Sequence, residues 1–249
     1  MTARVFGDRR VVDIHKGNQA PPVCSDVTVD GQWYRRLPVR TTWLRPGDDL
    51  TAVLRQACAD TCPGDTIAIS EKVVVLLTFR TISSASVRVG ALARLLARSV
   101  RPREGSRGIS VPEKMQYVLD QVGWPRMCAA AAASAVTRPL GIGGAFYRVA
   151  GSVARDVDGG RPPYEERLIP PLPALEAAMM CADLEGLLGV GVAIVDLNDY
   201  GGSIRATSPK AVPATTLARI LADNPLRQRL TGTPLALVRP LPGRPQPLA

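Results

Sequence analysis

One apolar stretch in the last third of the chain constrains the fold most. Residues 189–195 read Gly-Val-Gly-Val-Ala-Ile-Val, which is the length of a strand and is apolar at successive positions. Such a run is typical of a strand whose two sides are both covered, because an exposed face would alternate with polar residues. We therefore predict a strand that is buried on both faces.

Polar side chains follow this strand directly. Asp196, Asn198 and Asp199 lie within four positions, ahead of Gly201 and Gly202. Glycine lets the backbone turn or approach a ligand closely, and Mg²⁺ usually takes one or two carboxylates and completes its shell with water and substrate oxygens. The cluster therefore indicates a site for a hard cation or a metal-bridged phosphate. An ordinary turn uses the same residue types, and the spacing alone leaves that interpretation open.

The rest of the chain alternates between helical and strand-like patterns. A serine and a glutamate with capping-box spacing, Ser110 and Glu113, predict the start of one helix. The apolar positions Leu175, Met179 and Leu187 predict the face on which another helix packs ahead of the buried strand. The predicted helices are 50–59, 87–99, 112–122, 127–136, 175–188 and 215–221, and the predicted strands are a hairpin at 27–39, 66–69 and 235–238.

Composition gives the broad class of protein. No apolar run reaches the roughly 18–20 residues of a membrane span, no secretory signal follows the first residues, and five scattered cysteines indicate free thiols rather than a disulfide framework. We therefore predict a cytoplasmic protein without membrane contacts. Its predicted parts are an irregular N-terminal arm at 1–26, one unit or two subdomains at 27–239, and a proline-rich tail at 240–249.

The net charge is high, but the residues that carry it give little support for binding to nucleic acid. The formal net charge is +9, and four of the 31 basic residues are lysine, which leaves 27 arginines scattered along the chain. Aromatic residues make up only 4% of the chain, so few side chains are present for stacking on bases. We predict no nucleic-acid partner, with phosphate-backbone binding as the third-ranked function. His15 is the single histidine, which argues against a histidine-based catalytic triad.

Several short segments occur in an order that is more specific than any one of them. They are Pro46-Gly47-Asp48-Asp49-Leu50, Gly64-Asp65, Ser70-Glu71-Lys72, Pro112-Glu113-Lys114-Met115-Gln116-Tyr117, Gly144-Ala145-Phe146-Tyr147, Ala150-Gly151, Asp158-Gly159, Val195-Asp196-Leu197-Asn198-Asp199, Asp223-Asn224-Pro225-Leu226 and Thr233-Pro234. Together they resemble the coenzyme F-420 gamma-glutamyl ligase family, whose members add glutamate to a deazaflavin coenzyme precursor, and they resemble a divergent branch of it more closely. The resemblance runs from about residue 37 to residue 239.

This resemblance implies a fold and a reaction. The implied fold is α+β, with mixed sheets and packed helices as in the gamma-glutamyl ligases, and the implied assembly is a homodimer. The reaction is a ligation that uses ATP or GTP as co-substrate and Mg²⁺ or Mn²⁺ as cofactor. A small-molecule carboxylate receives the γ-phosphate, and an amine or amino acid then attacks the acyl phosphate to form an amide.

The resemblance also assigns roles to individual residues. The catalytic residues would be Lys72 and Arg80; the nucleotide would be bound by Ser70, Glu71, Lys72 and Asn198; the metal would be held by Asp158, Asp196 and Asp199. A lysine beside the phosphates and carboxylates around the metal suit phosphoryl transfer, because charge on the transferring group must be neutralised. We also predict that Asp158 faces the cluster of residues 196–199. The other interpretation of Lys72 is a solvated residue at a strand end.

One segment departs from the family pattern. The ligases carry glutamate or glutamine and then glycine before the arginine, whereas this chain has Thr78-Phe79-Arg80. An aspartate of the ligases also aligns nearer Asn198 than Asp196. A second class of function therefore stays open, namely a catalytically reduced protein that binds a nucleotide or metabolite and keeps the fold.

Overall fold

The described residues form a mixed, mostly antiparallel sheet with packed α-helices, which confirms the α+β class. The computed structural model describes residues 24–100, 108–160, 164–198, 201–226 and 232–242. The strands are β1 (Ser25–Val29), β2 (Gln32–Val39), β3 (Thr66–Ser70), β4 (Ile82–Ser83), β5 (Asp158–Gly159), β6 (Arg167–Ile169), β7 (Gly191–Asn198), β8 (Gly201–Thr207) and β9 (Leu235–Pro240). The α-helices are α1 (Leu50–Ala57), α2 (Glu71–Leu77), α3 (Ala91–Ser99), α4 (Pro112–Val122), α5 (Trp124–Thr137), α6 (Ala145–Ala150), α7 (Ser152–Asp156), α8 (Ala174–Leu188) and α9 (Ala214–Ile220).

The larger sheet has six strands in the order β1-β2-β9-β3-β7-β8. Among the described strands, β3 and β7 are the one parallel pair, and their other neighbours run antiparallel. In this pair Ser70 lies opposite Val195, so the two strands reach their carboxyl ends at the same edge of the sheet. Residues that follow these two positions are therefore brought close together.

The two central strands are buried on both faces, as the sequence predicted for the second of them. One face packs against α1, α2 and α8, and it includes Ile69 of β3 and Ile194 of β7. The opposite face packs against α9 and includes Ala68 and Val195. Alternate residues of one strand thus enter different cores, which explains why the sequence is apolar at every position.

Helices α3 to α7 form a separate layer around a third core. Met115, Val118 and Met127 lie at its centre and are fully buried. The three-stranded sheet, in the order β4-β6-β5, takes one strand from before this layer and two from after it, and β5 follows α7 directly. The strand β5 therefore carries residues from the helical layer towards the large sheet.

Three local predictions are wrong in detail. The residue before α4 is Val111, with no side-chain cap, so Ser110 does not cap that helix as the capping-box spacing predicted. Strand β7 continues through Asn198, so Asp196 lies within the strand rather than in a turn after it. The strand β1 begins at Ser25, inside the predicted irregular arm. Residues 1–23 and 243–249 of the predicted arm and tail lie outside the described residues.

Helix α8 packs on the opposite face from the predicted one. Its buried residues are Ala177, Cys181 and Leu184, whereas Leu175 and Met179 of the predicted face are exposed. The helix is apolar on both sides, so periodicity alone cannot choose the buried side.

Within the described residues, the structure contains no helix with the length and apolar character of a membrane span.

We expect the start of β7 to tolerate no side chain. A Cβ at Gly191 would lie 2.4 Å from the backbone Cα of Ala211, so Gly191→Ala forces the backbone apart and costs about 1–3 kcal/mol of stability. Gly186→Ala is the matched control, because that position meets open space in helix α8 and alanine there stabilises by about 0.5–1 kcal/mol. Chemical denaturation of both variants measures the difference, and equal effects would contradict the placement of Gly191.

Candidate functional site

A lysine and two aspartates meet at the edge where β3 and β7 end. Lys72 follows β3 in the first turn of α2, and its Nζ lies 2.7 Å from the Oδ2 of Asp158 on β5. Their side chains are 31% and 37% exposed, so both remain within reach of solvent. Asp196 of β7 lies on the sheet face that α2 covers, because it alternates with Val195 and Leu197 of the other face. The structure thus places Lys72 in contact with Asp158, and it places Asp196 near enough for both charges to act on its pKa.

The pKa of Asp196 depends on its burial and on the charged groups around it. Burial raises the pKa of its carboxyl above the usual range, the nearby charge of Lys72 lowers it, and the charge of Asp158 raises it again. Arg205 and Asp156 act on the pKa of the same carboxyl in opposite directions. These groups therefore share one electrostatic environment at the sheet edge.

Arg205 reaches this environment because β8 contains one extra residue. Val195 lies opposite Ile204 and Ile194 lies opposite Ala206, so Arg205 has no counterpart on β7. A bulge of this kind bends a strand and redirects a side chain. The guanidinium donates from Nη1 to Asp156 Oδ2 at 3.2 Å and from Nη2 to Glu71 Oε2 at 3.0 Å.

Glu71 is occupied by partners within the protein. Its Oε1 accepts a hydrogen bond of 2.6 Å from the backbone N–H of Leu172, while Oε2 accepts from Arg205. Burial raises the pKa of this carboxyl, and the hydrogen bond from Arg205 opposes the increase. Both carboxylate oxygens of Glu71, which the resemblance assigns to nucleotide binding, thus have partners within the protein.

A second lysine approaches β5 from the helical layer. Lys114 of α4 is buried, and a Cβ at Gly159 would lie 2.9 Å from its Cε and 3.0 Å from its Nζ. The glycine after Asp158 thus leaves room for the lysine stem. The segment around Lys114 carried part of the family resemblance, but nothing in its local sequence signals this contact.

The other predicted site residues lie in different surroundings. Ser70 ends β3, is buried, and donates its backbone N–H to the carbonyl of Pro234 at 2.9 Å. Arg80 lies beyond the far end of α2 from Lys72 and forms an ion pair with Glu176 of α8. Asn198 is the last residue of β7. Asp199 lies outside the described residues.

The donor set suits a hard divalent cation that arrives with a phosphate. Asp158 and Asp196 offer carboxylate oxygens, which suit Mg²⁺ and Mn²⁺. In the part of the chain that the structure describes, no three histidine, cysteine, aspartate or glutamate side chains gather to hold a metal by themselves. Two carboxylates fit Mg²⁺ in phosphate sites, where water and the substrate supply its remaining ligands.

Comparison of the chain with models of known protein families and with curated proteins gave no match.

Of the side chains at this site, we expect substitution of Arg205 to lower the stability of the protein most. Arg205→Met leaves the buried Glu71 carboxylate without its cation, and breaking a buried pair in this way costs about 3–5 kcal/mol. Adding Glu71→Gln removes the unpaired charge and keeps an acceptor for Leu172, so the double variant recovers part of the loss. Urea denaturation of the two variants tests this, and a double variant no more stable than Arg205→Met would contradict it.

We expect the stability of the protein to depend on the ionisation of Asp196. Because its pKa is raised in the folded protein, the folded state binds the proton more tightly than the unfolded state. The free energy of unfolding therefore falls as the pH rises from about 4, the ordinary pKa of aspartate, through the raised pKa. Asp196→Asn removes this dependence on pH, so the free energy of unfolding of the variant minus that of wild type should increase as the pH rises through that range. A difference between variant and wild type that stays constant or decreases with rising pH would contradict the raised pKa of Asp196.

Proposed function

We propose that the protein is a nucleotide-dependent amide ligase with a fold like that of the gamma-glutamyl ligases. It would use ATP or GTP to activate a small-molecule carboxylate as an acyl phosphate and couple it to an amine. The observation that carries this proposal is the ion pair of Lys72 with Asp158, within the electrostatic environment of Asp196. The ordered segments that resemble the ligase family support the same reaction.

Lys72 would act on the nucleotide through its ammonium group. A phosphate oxygen competes for this group with Asp158, which holds it in place at 2.7 Å before the nucleotide binds. Lysine suits this role because its ammonium is a compact point charge with three N–H donors. Binding of the phosphate thus releases the carboxylate of Asp158 from its cation.

The aspartates would then serve the metal that accompanies the nucleotide. Asp158 and Asp196 would hold Mg²⁺ or Mn²⁺, which when bound neutralises charge on the phosphates. Arg205 supports this arrangement because it binds Glu71, which directly precedes Lys72, and Asp156, which lies two positions before Asp158. The protein thereby positions Lys72 and Asp158 through residues close to them in the chain.

The proposed reaction has two steps. A carboxylate oxygen of the substrate attacks the γ-phosphorus, the bond from that phosphorus to the β–γ bridging oxygen breaks, and the nucleoside diphosphate leaves with the electron pair. An amine nitrogen then attacks the acyl carbon, inorganic phosphate leaves, and the nitrogen loses a proton. Lys72 stabilises the charge that moves during the first step.

One observation favours the second candidate, a catalytically reduced protein that binds a nucleotide or metabolite. Phe79 stands where the ligase pattern has glycine, and its backbone has a φ of 56°, a conformation rare for a bulky residue. Its ring lies over Gly47, where a Cβ would come within 2.8 Å of it. The ring therefore takes up space near the end of α2 that a glycine would leave open.

One experiment separates the two candidates. The protein is incubated with Mg²⁺ and either ATP or GTP, together with a panel of small carboxylates and amines, and release of ADP or GDP is measured. Release that requires both a carboxylate and an amine supports the ligase. Binding of nucleotide by calorimetry without release supports the reduced protein, and neither binding nor release would overturn both proposals.

We expect Lys72→Ala to reduce turnover by about a hundredfold or more, the effect of losing one electrostatic stabiliser of the transition state. Lys72→Arg should also impair turnover, because the planar guanidinium requires different geometry. The melting temperature should change little, since a partly exposed ion pair contributes about 0–1 kcal/mol. Lys210→Ala, at an exposed lysine in the turn after β8, is the control. Near-wild-type turnover in Lys72→Ala would exclude phosphoryl transfer through this residue.

A further inference from the structure

Two aromatic side chains stack on each other at the surface of the protein. The rings of Trp43 and Tyr164 have their centroids 6.1 Å apart, and their planes are 19° from parallel. Tyr164 covers one face of the Trp43 ring, yet Trp43 is 46% exposed, so its other face is open to solvent. An accessible face of an indole is a surface on which another planar ring can stack.

Neighbouring contacts hold the two rings in position. The hydroxyl of Tyr164 donates to the carbonyl of Leu44 at 2.8 Å, which ties it to the residue after Trp43. Leu44 is buried whereas Trp43 is exposed, so the leucine anchors the segment that carries the indole. The next residue, Arg45, donates its N–H to Oδ2 of Asp48 at 2.7 Å and closes a turn. A ring that is fixed in advance loses little freedom when a ligand binds.

The backbone of Tyr164 lies on the same face of β5 as the carboxylate of Asp158. The pairing of β5 with β6 continues to Gly160, whose N–H donates to the carbonyl of Arg167 at 2.8 Å. Because side chains alternate along a strand, a Cβ at Gly160 would point to the same side as that of Asp158. This Cβ would lie 1.7 Å from the carbonyl oxygen of Tyr164. Two residues of a strand span about 7 Å, so the aromatic pair begins close to the ion pair of Asp158 with Lys72.

We propose that Trp43 stacks on the base of the nucleotide whose phosphates bind at Lys72. This inference rests on the proposed function, and it names the residue that binds the other end of the co-substrate. A nucleotide carries a planar ring and phosphates in one molecule, and this surface offers a ring face close to a lysine. The carboxylate and the amine of the proposed reaction need neither of these features.

An open ring face recognises a planar ring without selecting one base. Stacking uses the π-face that every base has, whereas selection between bases needs hydrogen bonds to their edges. Trp43 therefore favours nucleoside triphosphates over inorganic triphosphate, and it treats adenine and guanine alike. ATP and GTP are thus equivalent co-substrates in this arrangement.

Calorimetry with three ligands tests the stacking. The Mg²⁺ complexes of ATP, GTP and inorganic triphosphate are titrated into wild type, Trp43→Leu and Trp43→Phe. Wild type should bind both nucleotides about tenfold more tightly than triphosphate, the effect of stacking one base on an aromatic side chain. Trp43→Leu keeps apolar bulk without a ring, so it should lose this preference and bind triphosphate as wild type does. Trp43→Phe keeps a ring face and should retain most of the preference.

Two further variants are controls. Trp124→Leu removes another tryptophan, which is 67% exposed at the start of α5, and it should bind all three ligands as wild type does. Lys72→Ala should weaken the binding of all three ligands, because it removes the cation that their phosphates share. Urea denaturation of Trp43→Leu shows whether the variant is folded, and the comparison of the three ligands in wild type needs no variant.

The results separate this inference from the proposed function. Equal binding of nucleotides and triphosphate by wild type, or a preference that survives Trp43→Leu, would overturn stacking on Trp43 and leave the phosphate site at Lys72. A tenfold difference between ATP and GTP would also overturn it, because the base edge would then be recognised. Nucleotide binding that depends on Trp43, without diphosphate release in the presence of carboxylates and amines, would support the stacking and count against the ligase. Absence of binding of any ligand to wild type would overturn both.

Discussion

Arg205 connects three parts of the chain that are distant in sequence. It starts from a bulge in β8, reaches Glu71 at the beginning of α2, and reaches Asp156 at the end of α7. The three side chains are largely buried, so the ion pairs are shielded from water and costly to break one partner at a time. The proposed site depends on these ion pairs, because Lys72 directly follows Glu71 and Asp158 lies two positions after Asp156.

The sequence predicts the buried strands well and the helices around them less completely. The run that became β7 is apolar at every position, as a strand covered on both faces requires. Residues 73–77 are equally apolar and β-branched, yet they form α2, because the helix covers the core of the adjacent sheet face. Tertiary packing overrides local propensity there. For α8, both sides are apolar, and the pattern could not identify the side that meets the sheet.

The candidate site was only partly predictable. Lys72, Asp158 and Asp196 follow from the family resemblance, and the parallel pairing of β3 with β7 places two of them at one edge. The contact of Lys72 with Asp158 joins residues that are far apart in the chain, which no local pattern records. Arg205 has no sequence signal at all, because a bulge appears only when β8 is aligned with its partner strand.

The balance of charge at this edge explains why a phosphate would need a cation. The group contains four carboxylates, Glu71, Asp156, Asp158 and Asp196, and four basic side chains, Lys72, Lys114, Arg155 and Arg205. Each of the two arginines is already paired with a carboxylate, as is Lys72. A bound phosphate would therefore add negative charge to a group that is already in balance, and it would repel the aspartates. A divalent cation between the phosphate and the aspartates reverses this repulsion. Burial raises the pKa of Asp196, and the charge of Lys72 is the largest effect that opposes the increase. Protonation of Asp196 and binding of a cation would both reduce the negative charge at this edge.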